Sequence, residues 1–155
     1  IIAPHQINLN YIKELQNQIE LNSILLSELN FENSQNINLI IVDSVGILTK
    51  LYSYADISYV GGGMGKTGLH NTLEPAVHKI PVIVGQNFKN FPEVSELINL
   101  NGIISVNNYQ SFETKIIELI QSSHKRDKMG KINFEYIQNN IGASEKVISY
   151  LNEKK

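Results

Sequence analysis

The residues of this chain best suited to chemistry lie in one stretch, Tyr59–Ala76, which reads YVGGGMGKTGLHNTLEPA. Five glycines within eight positions are followed by His70, Asn71 and Glu74. Glycine lets a backbone turn sharply and approach another group closely, and backbone amides at a helix start attract phosphate. We expect Gly68–Thr72 to offer such amides, and Glu74, one turn into the helix, to accept hydrogen bonds from ribose hydroxyls. The spacing therefore predicts a nucleotide site.

Two other phosphate-binding motifs match this stretch only in part. The P-loop pattern G-x-x-x-x-G-K-[ST] ends well at Gly65–Thr67, but Val60 stands where its first glycine is required. The dinucleotide pattern G-x-G-x-x-G matches Gly63–Gly68, but the acidic residue needed about 20 positions later is replaced by the uncharged Gly85–Asn87. We therefore favour a site made by the glycine loop and the following helix together, a combination that nucleotide-sugar transferases of the two-lobed GT-B type use.

Asn71 and Glu74 also fit a purely structural role. The pattern Asn-x-x-Glu is a variant of the capping box, in which Asn71 would cap the helix and Glu74 would reach back to it. Pro75 is tolerated in a first helical turn. This alternative stays open for the two residues, although it explains neither the glycines nor His70.

Composition restricts the class of protein. A chain of 155 residues with net charge −2 is one domain or one lobe, and it carries no basic field that would attract nucleic acid. It has no cysteine, and its four histidines, at positions 5, 70, 78 and 124, do not pair at a metal-ligand spacing. We interpret His78 as structural and His124 as a surface residue. The longest apolar run, Leu39–Val42, is far shorter than the ~20 residues of a membrane helix.

Short apolar runs alternate with helical patterns, which predicts an α/β fold with a Rossmann-like parallel sheet and flanking helices. The predicted strands are 1–3, 24–26, 39–42, 57–60, 81–84 and 103–106. The predicted helices are 10–19, 46–54, 72–78, 92–100, 111–122, 125–140 and 144–151. Ligands of such folds bind at the carboxyl ends of the strands. One rim should therefore hold Pro4-His5, Asp43–Gly46, Gly61–Asn71 and Gly85–Lys89.

Three segments together resemble a known family: DSVGILTKLYSYADISYVGGG, GLHNTLEPAVHKIPVIVG and NIGASEK. They are similar to the C-terminal lobe of 3-deoxy-D-manno-octulosonic acid (Kdo) transferase, a GT-B enzyme that uses CMP-Kdo to glycosylate the lipid A precursor. The resemblance covers nearly the whole chain, in a form like that of the Bacteroidetes branch. It implies that the chain is the donor-nucleotide lobe of a glycosyltransferase of lipopolysaccharide biosynthesis.

The resemblance also implies roles for individual residues. Glu74 would bind the ribose. The residues around the CMP phosphate and the sugar would be Gly62, Gly63, Gly68, His70 and Asn71. The residues presenting backbone to the cytosine would be Val45, Gly46 and Ile47. A cation at His5 could meet a phosphate or the Kdo carboxylate, although an ordinary loop residue fits equally well there. Lys66 or Lys89 could add positive charge.

The resemblance places the remaining machinery outside this chain. The chain opens on the apolar IIAP of a strand already in progress, so we expect one truncated domain, without the first strand of its lobe or the N-terminal acceptor lobe. That other lobe would supply the general base, the lipid A site and contact with the cytoplasmic face of the inner membrane. No catalytic residue is predicted here, and Asp43 and Asp56 are interpreted as loop anchors. The reaction would need no metal, and this chain alone should bind CMP weakly and transfer nothing.

Two other functions stay open at this point. The chain could belong to a GT-B transferase that uses a UDP-sugar, since such enzymes share the glycine loop and the ribose glutamate. It could also be a nucleotide-binding module without catalytic activity.

Overall fold

The computed structural model describes residues 1–66 and 68–153; Thr67, the end of the partial P-loop match, lies outside them. The chain divides into two compact units, Ile1–Leu51 and Tyr52–Lys155. In both units every paired strand runs parallel to its neighbour, with helices in between. The predicted α/β class with parallel sheets is therefore confirmed.

The first unit contains helix α1 (Leu9–Gln18) and strands β1 (Ser23–Leu25) and β2 (Leu39–Ile41). The side chain of Asn8 caps α1 by accepting a hydrogen bond from the Asn10 amide at 2.9 Å, and Ile12 of α1 is buried against β2. The predicted strand at 1–3 is present only as a single parallel bridge between Ile2 and Ile41. A 3-10 helix at Leu26–Glu28 follows β1 and was not predicted.

A short helix, α2 (Leu48–Tyr52), comes next in the chain. It is shorter at both ends than the predicted 46–54. Gly46 has a φ of +86°, a left-handed conformation that a regular helix does not contain, so the helix cannot begin there.

The second unit is built on three parallel strands in the order β3 (Ser58–Val60), β4 (Val82–Gly85), β5 (Ile103–Val106). All four residues of the central strand β4 are buried, as expected for a parallel strand covered on both faces. Val82 and Val84 pack with Val94 and Leu97 on one side. Ile83 packs with Leu119 and Met129 on the other.

Among the described residues of this unit, five further helices follow β3. They are α3 (Leu73–Val77), α4 (Pro92–Asn99), α5 (Tyr109–Gln121), α6 (Ser123–Asn140) and α7 (Ala143–Glu153). Every helix and strand predicted for this unit is present, with ends shifted by at most two residues. Helix α5 begins before the predicted Ser111, because Asn108 caps it and accepts a hydrogen bond from the Ser111 amide at 2.8 Å.

Helix α6 packs against the segment that follows α3. The buried side chain of Asn133 donates a hydrogen bond to the carbonyl of Ile80 at 2.8 Å. A Cβ on Gly130 would stand 1.8 Å from the carbonyl oxygen of Lys79, so only glycine allows this close packing. These contacts fix the segment that joins α3, the helix that carries Glu74, to β4.

Candidate functional site

Two glycines of the loop after β3 are required by the protein's own backbone. Gly62 has a φ of +90°, and a Cβ there would stand 1.9 Å from the carbonyl oxygen of Gly68. Gly63 packs against Gly85 at the end of β4, where a Cβ on Gly85 would lie 2.2 Å from the carbonyl carbon of Gly63. The sequence suggested that these glycines clear space for a ligand. The structure gives them an internal reason, which is the close contact of two loops.

The other end of the loop is more open. A Cβ on Gly65 or Gly68 would meet no described atom within 4 Å, although Gly68 has a φ of +84°. Gly65 is also exposed. Packing among the described residues therefore does not explain the glycine at position 65.

His70 belongs to the glycine loop through its backbone and its ring. Its amide donates a hydrogen bond to the carbonyl of Gly61 at 3.1 Å. Its Cδ2 atom lies 3.2 Å from where a Cβ on Gly62 would stand, so the imidazole rests on the glycines and its side chain remains exposed. The expectation that every amide of Gly68–Thr72 is available to a phosphate is wrong at His70, whose N–H closes the loop.

Asn71 connects the helix start to Glu74. Its Oδ1 accepts a hydrogen bond from the Leu73 amide at 3.0 Å, and its Nδ2 donates to Oε1 of Glu74 at 3.0 Å. The predicted capping box is therefore wrong in two respects. The N-cap residue of α3 is Thr72, which makes no side-chain capping bond, and Glu74 bonds the side-chain amide of Asn71 and not its backbone. Asn71, one residue before the N-cap, nevertheless accepts a hydrogen bond from the first amide of the helix. The bond between the two side chains orients the carboxylate at the helix start.

Tyr52 lies close to Glu74, a neighbour that the sequence analysis did not single out. Burial, and after it the negative charge of Glu74, raise the pKa of the Tyr52 hydroxyl above its usual value of 10.0, while a hydrogen bond from Ser58 opposes the rise. The tyrosine ring lies 6.3 Å from the ring of His78, centroid to centroid. Tyr52 lies in DSVGILTKLYSYADISYVGGG, the first of the three segments that carry the family resemblance, so that segment was the signal that could have pointed to it.

The loop after β4 reaches the glycine loop through Asn87. Its amide donates a hydrogen bond to the carbonyl of Gly63, and its Nδ2 donates to the carbonyl of Gly65, both at 2.9 Å. Lys66, the residue after Gly65, is exposed, and so is Lys89. Within the second unit, the predicted meeting of the loops after β3 and β4 at one edge of the sheet is therefore confirmed.

The remaining candidate ligand-binding residues, which are His5, Val45, Gly46 and Ile47, belong to the first unit. His5 is exposed, and Val45 is 91% exposed, which is unusual for valine. The carbonyl of Ile47 accepts hydrogen bonds from the amides of Lys50 and Leu51, so a contact with cytosine would use its N–H. Gly46 has a positive φ. The ligand-binding roles of these four residues stay predictions.

Asp43 is a loop anchor, as the sequence suggested. Its Oδ1 accepts a hydrogen bond from the Ser27 amide at 3.1 Å, and its Oδ2 accepts a short one from the Ser27 hydroxyl. The bond from the Ser27 hydroxyl is the main reason why the pKa of Asp43 is lowered. The ionised side chain thus links the ends of β1 and β2 within the first unit.

The described residues contain no group of three or more histidine, aspartate or glutamate side chains placed to hold a metal ion. None of their helices combines the length and the apolarity needed to cross a membrane.

The fold is the parallel α/β fold of a GT-B lobe. It is similar to the crystal structure of the C-terminal CMP-Kdo binding domain of WaaA from Acinetobacter baumannii, with a TM-score of 0.72 and 22% sequence identity. The match covers 83% of this chain and 67% of that one. At this identity the likeness concerns the fold.

Sequence comparison then gives the relatives. The chain is 31% identical over 153 residues to the 3-deoxy-D-manno-octulosonic acid transferase of Haemophilus influenzae, a match that covers 97% of this chain. It is 37% identical over 91 residues to the transferase of the same name from Aquifex aeolicus, covering 58% of this chain. It is 33% identical over 143 residues to a bifunctional glycosyltransferase/methyltransferase of Fusobacterium nucleatum, covering 91%.

The matched region is only part of each relative. It spans 36% of the Haemophilus protein, 26% of the Aquifex protein and 22% of the Fusobacterium protein. No protein-family model matches the chain. The resemblance found in the sequence motifs is nevertheless confirmed, because the chain is a homologue of Kdo transferases over almost its whole length.

Proposed function

We propose that this chain is the part of a Kdo transferase that binds CMP-Kdo, in an enzyme that transfers Kdo to the lipid A precursor. The observation that carries the proposal is the arrangement of Glu74 beside the glycine loop, with its carboxylate oriented by Asn71, in a homologue of Kdo transferases. Glu74 accepts hydrogen bonds from the ribose hydroxyls, and the loop receives the phosphate. Gly62, Gly63 and Gly68 give the loop its shape.

The donor carries a phosphate and a carboxylate, and the proposed site meets them with fixed amides and cations. Helix α3 has only five residues, so its dipole is small and the loop amides, His70 and Lys66 contribute more. His5 is proposed to add to this charge. Fixed donors and positive charge stabilise the negative charge that develops on CMP as it leaves, without a metal ion.

In the proposed reaction, a hydroxyl oxygen of the acceptor attacks the anomeric carbon of Kdo. The bond from that carbon to the phosphate oxygen breaks, and CMP leaves. A general base takes the proton of the attacking hydroxyl, and we place this base on the other lobe of the enzyme. The acceptor site and contact with the cytoplasmic face of the inner membrane are assigned to that lobe as well.

Calorimetric titration of the chain with CMP and with UDP tests the donor assignment. We expect binding of CMP and much weaker binding of UDP, because the backbone of Val45, Gly46 and Ile47 is proposed to read cytosine. Equal affinity for the two would favour a UDP-sugar enzyme of the same fold. The absence of binding heat with both CMP and UDP would refute the proposed nucleotide site.

A substitution pair adds a control to this titration. Glu74→Gln removes the charge that is proposed to face the ribose, and it should weaken CMP binding about ten-fold. Glu93→Gln removes a carboxylate from the first turn of α4 and should leave CMP affinity unchanged. Equal effects of both substitutions would mean that Glu74 acts only through net charge.

A further inference from the structure

Asn87 makes two hydrogen bonds to the glycine loop from a neighbouring loop. Its backbone N–H binds the carbonyl of Gly63, and its side-chain Nδ2 binds the carbonyl of Gly65, both at 2.9 Å. The two carbonyls flank Met64. One residue therefore fixes two successive turns of the loop, although Asn87 itself is exposed and contributes nothing to the core.

The side-chain bond acts where the loop has little other support. Gly63 is held by close backbone packing against Gly85, but a Cβ on Gly65 would meet no described atom within 4 Å. Gly65 has no side chain that could pack and its backbone is intrinsically mobile. The bond from Nδ2 of Asn87 therefore limits the orientations open to the peptide that joins Gly65 to Lys66.

That restriction has a direct consequence for Lys66. A peptide unit is planar and trans, so its N–H points opposite to its C=O. Because the carbonyl of Gly65 points to Asn87, the amide N–H of Lys66 points away from Asn87. The lysine side chain, which is exposed, leaves the same fixed backbone.

We propose that Asn87 is a positioning residue for donor binding: it turns the Gly65–Lys66 peptide so that the Lys66 amide and ammonium face an anionic oxygen of the donor. The inference rests on the proposed function, since it needs an anionic ligand at the glycine loop. The oxygen belongs either to the CMP phosphate or to the Kdo carboxylate, and the test distinguishes the two. Asn87 touches neither, and it acts through Lys66.

The test compares the affinities of CMP and cytidine for the chain carrying Asn87→Ala. This substitution keeps the backbone bond to Gly63 and removes only the side-chain bond to Gly65. We expect the Kd for CMP to rise about three- to ten-fold, the scale of one hydrogen bond, while the Kd for cytidine stays unchanged. A variant that is partly unfolded would lose both ligands equally, so the ratio of the two affinities remains informative.

The matched control is Asn140→Ala. Asn140 is also exposed, and its Nδ2 donates to the carbonyl of Tyr136 at 2.9 Å, so the same kind of bond is lost on α6. Its CMP affinity should equal that of the unchanged chain. In a Lys66→Ala background, which keeps the amide of residue 66 but removes the ammonium, Asn87→Ala should raise the Kd for CMP by a smaller factor than it does in the unchanged chain.

The outcomes separate this inference from the proposed function. If Glu74→Gln weakens CMP binding and Asn87→Ala weakens binding of neither CMP nor CMP-Kdo, the role of Asn87 is refuted and the nucleotide site stands. If the unchanged chain does not bind CMP, the proposed function is refuted, and the role of Asn87 is refuted with it. If Asn87→Ala weakens binding of CMP-Kdo but not of CMP, the contacted oxygen is that of the Kdo carboxylate.

Discussion

The side-chain amide of Asn71 donates a hydrogen bond to Oε1 of Glu74 at 3.0 Å, while its carbonyl oxygen accepts one from the amide of Leu73. One residue therefore both accepts a hydrogen bond from the first amide of α3 and orients the carboxylate that we assign to the ribose. A capping role and a ligand role were alternatives in the sequence. In the structure they share the same pair of residues, and substitution can separate them.

Asn71→Asp is the substitution that separates the two roles. Aspartate keeps the oxygen that accepts from Leu73, so the stability of the chain should change little. It cannot donate to Glu74, and it places a second negative charge beside that carboxylate. We expect CMP affinity to fall roughly ten-fold, as measured by calorimetry, with an unchanged melting temperature.

Asn108→Asp serves as its control, because the side-chain oxygen of Asn108 also accepts a hydrogen bond from a backbone amide at a helix start, that of Ser111, but Asn108 carries no proposed ligand role. It should leave CMP affinity unaltered. If Asn71→Asp binds CMP as well as the unchanged chain, the orientation of Glu74 by Asn71 has no part in binding.

Gly85→Ala should destabilise the second unit. Its Cβ would lie 2.2 Å from the carbonyl carbon of Gly63, so the two loops would have to separate. We expect a loss of about 2 kcal/mol or more, seen as a fall in melting temperature on the order of 5 °C. Gly65→Ala, where a Cβ meets no described atom within 4 Å, is the control and should melt within about 1 °C of the unchanged chain. Equal melting temperatures for the two variants would contradict the close contact of the loops.

Tyr52 reports on the charge of Glu74. In the unchanged chain its pKa lies above 10.0 because of burial first and Glu74 second. Glu74→Gln should lower this pKa but leave it above 10.0, since the larger cause remains. An NMR titration with tyrosine labelled at Cζ measures it. Tyr109, whose pKa is raised by Glu113, should not respond. A Tyr52 pKa that is unchanged in Glu74→Gln would show that the two groups are not close.

Glu118 should make the stability of the chain depend on pH. Hydrogen bonds from Lys125 and then Lys115 lower its pKa from 4.5 to about 2. The folded state therefore favours the ionised form, so the stabilisation is present above pH 4.5 and is lost as the pH falls toward 2. The melting temperature of the unchanged chain should exceed that of Glu118→Gln near neutral pH, and the difference should vanish near pH 2.

Salt provides the control for this effect. Both ion pairs lie at the surface, where salt screens them. The difference between the two chains should therefore shrink in 0.5 M salt, a concentration at which the Debye length is only about half its value at 0.1 M. A difference that persists at pH 2, or that salt does not change, would contradict the electrostatic origin.

Much of the fold followed from local pattern. Strands such as Ile103–Val106 are short apolar runs between turn residues, and the amphipathic helices were recognised from their period, so their positions were predicted to within about two residues. The ends were less accurate where one residue decides them. The positive φ of Gly46 and the cap made by Asn108 depend on backbone geometry that the pattern does not show.

The site was predictable only where the motif is continuous. Glu74, Asn71 and His70 stand within five residues of one another, and their chemistry could be read from that segment. Asn87 is 22 residues from Gly65, and its hydrogen bond exists only because β3 and β4 pair side by side. For the same reason the sequence could not show that Gly63 also packs against Gly85.

The central claim is that Glu74 binds the ribose of CMP, and one comparison of four affinities tests it most directly. CMP and 2′,3′-dideoxy-CMP are titrated calorimetrically into the unchanged chain and into Glu74→Gln. We expect the unchanged chain to bind CMP about ten-fold more tightly than the dideoxy compound, and Glu74→Gln to bind the two nearly equally. If the unchanged chain does not distinguish the two nucleotides, or if Glu74→Gln preserves the difference, Glu74 does not bind the ribose.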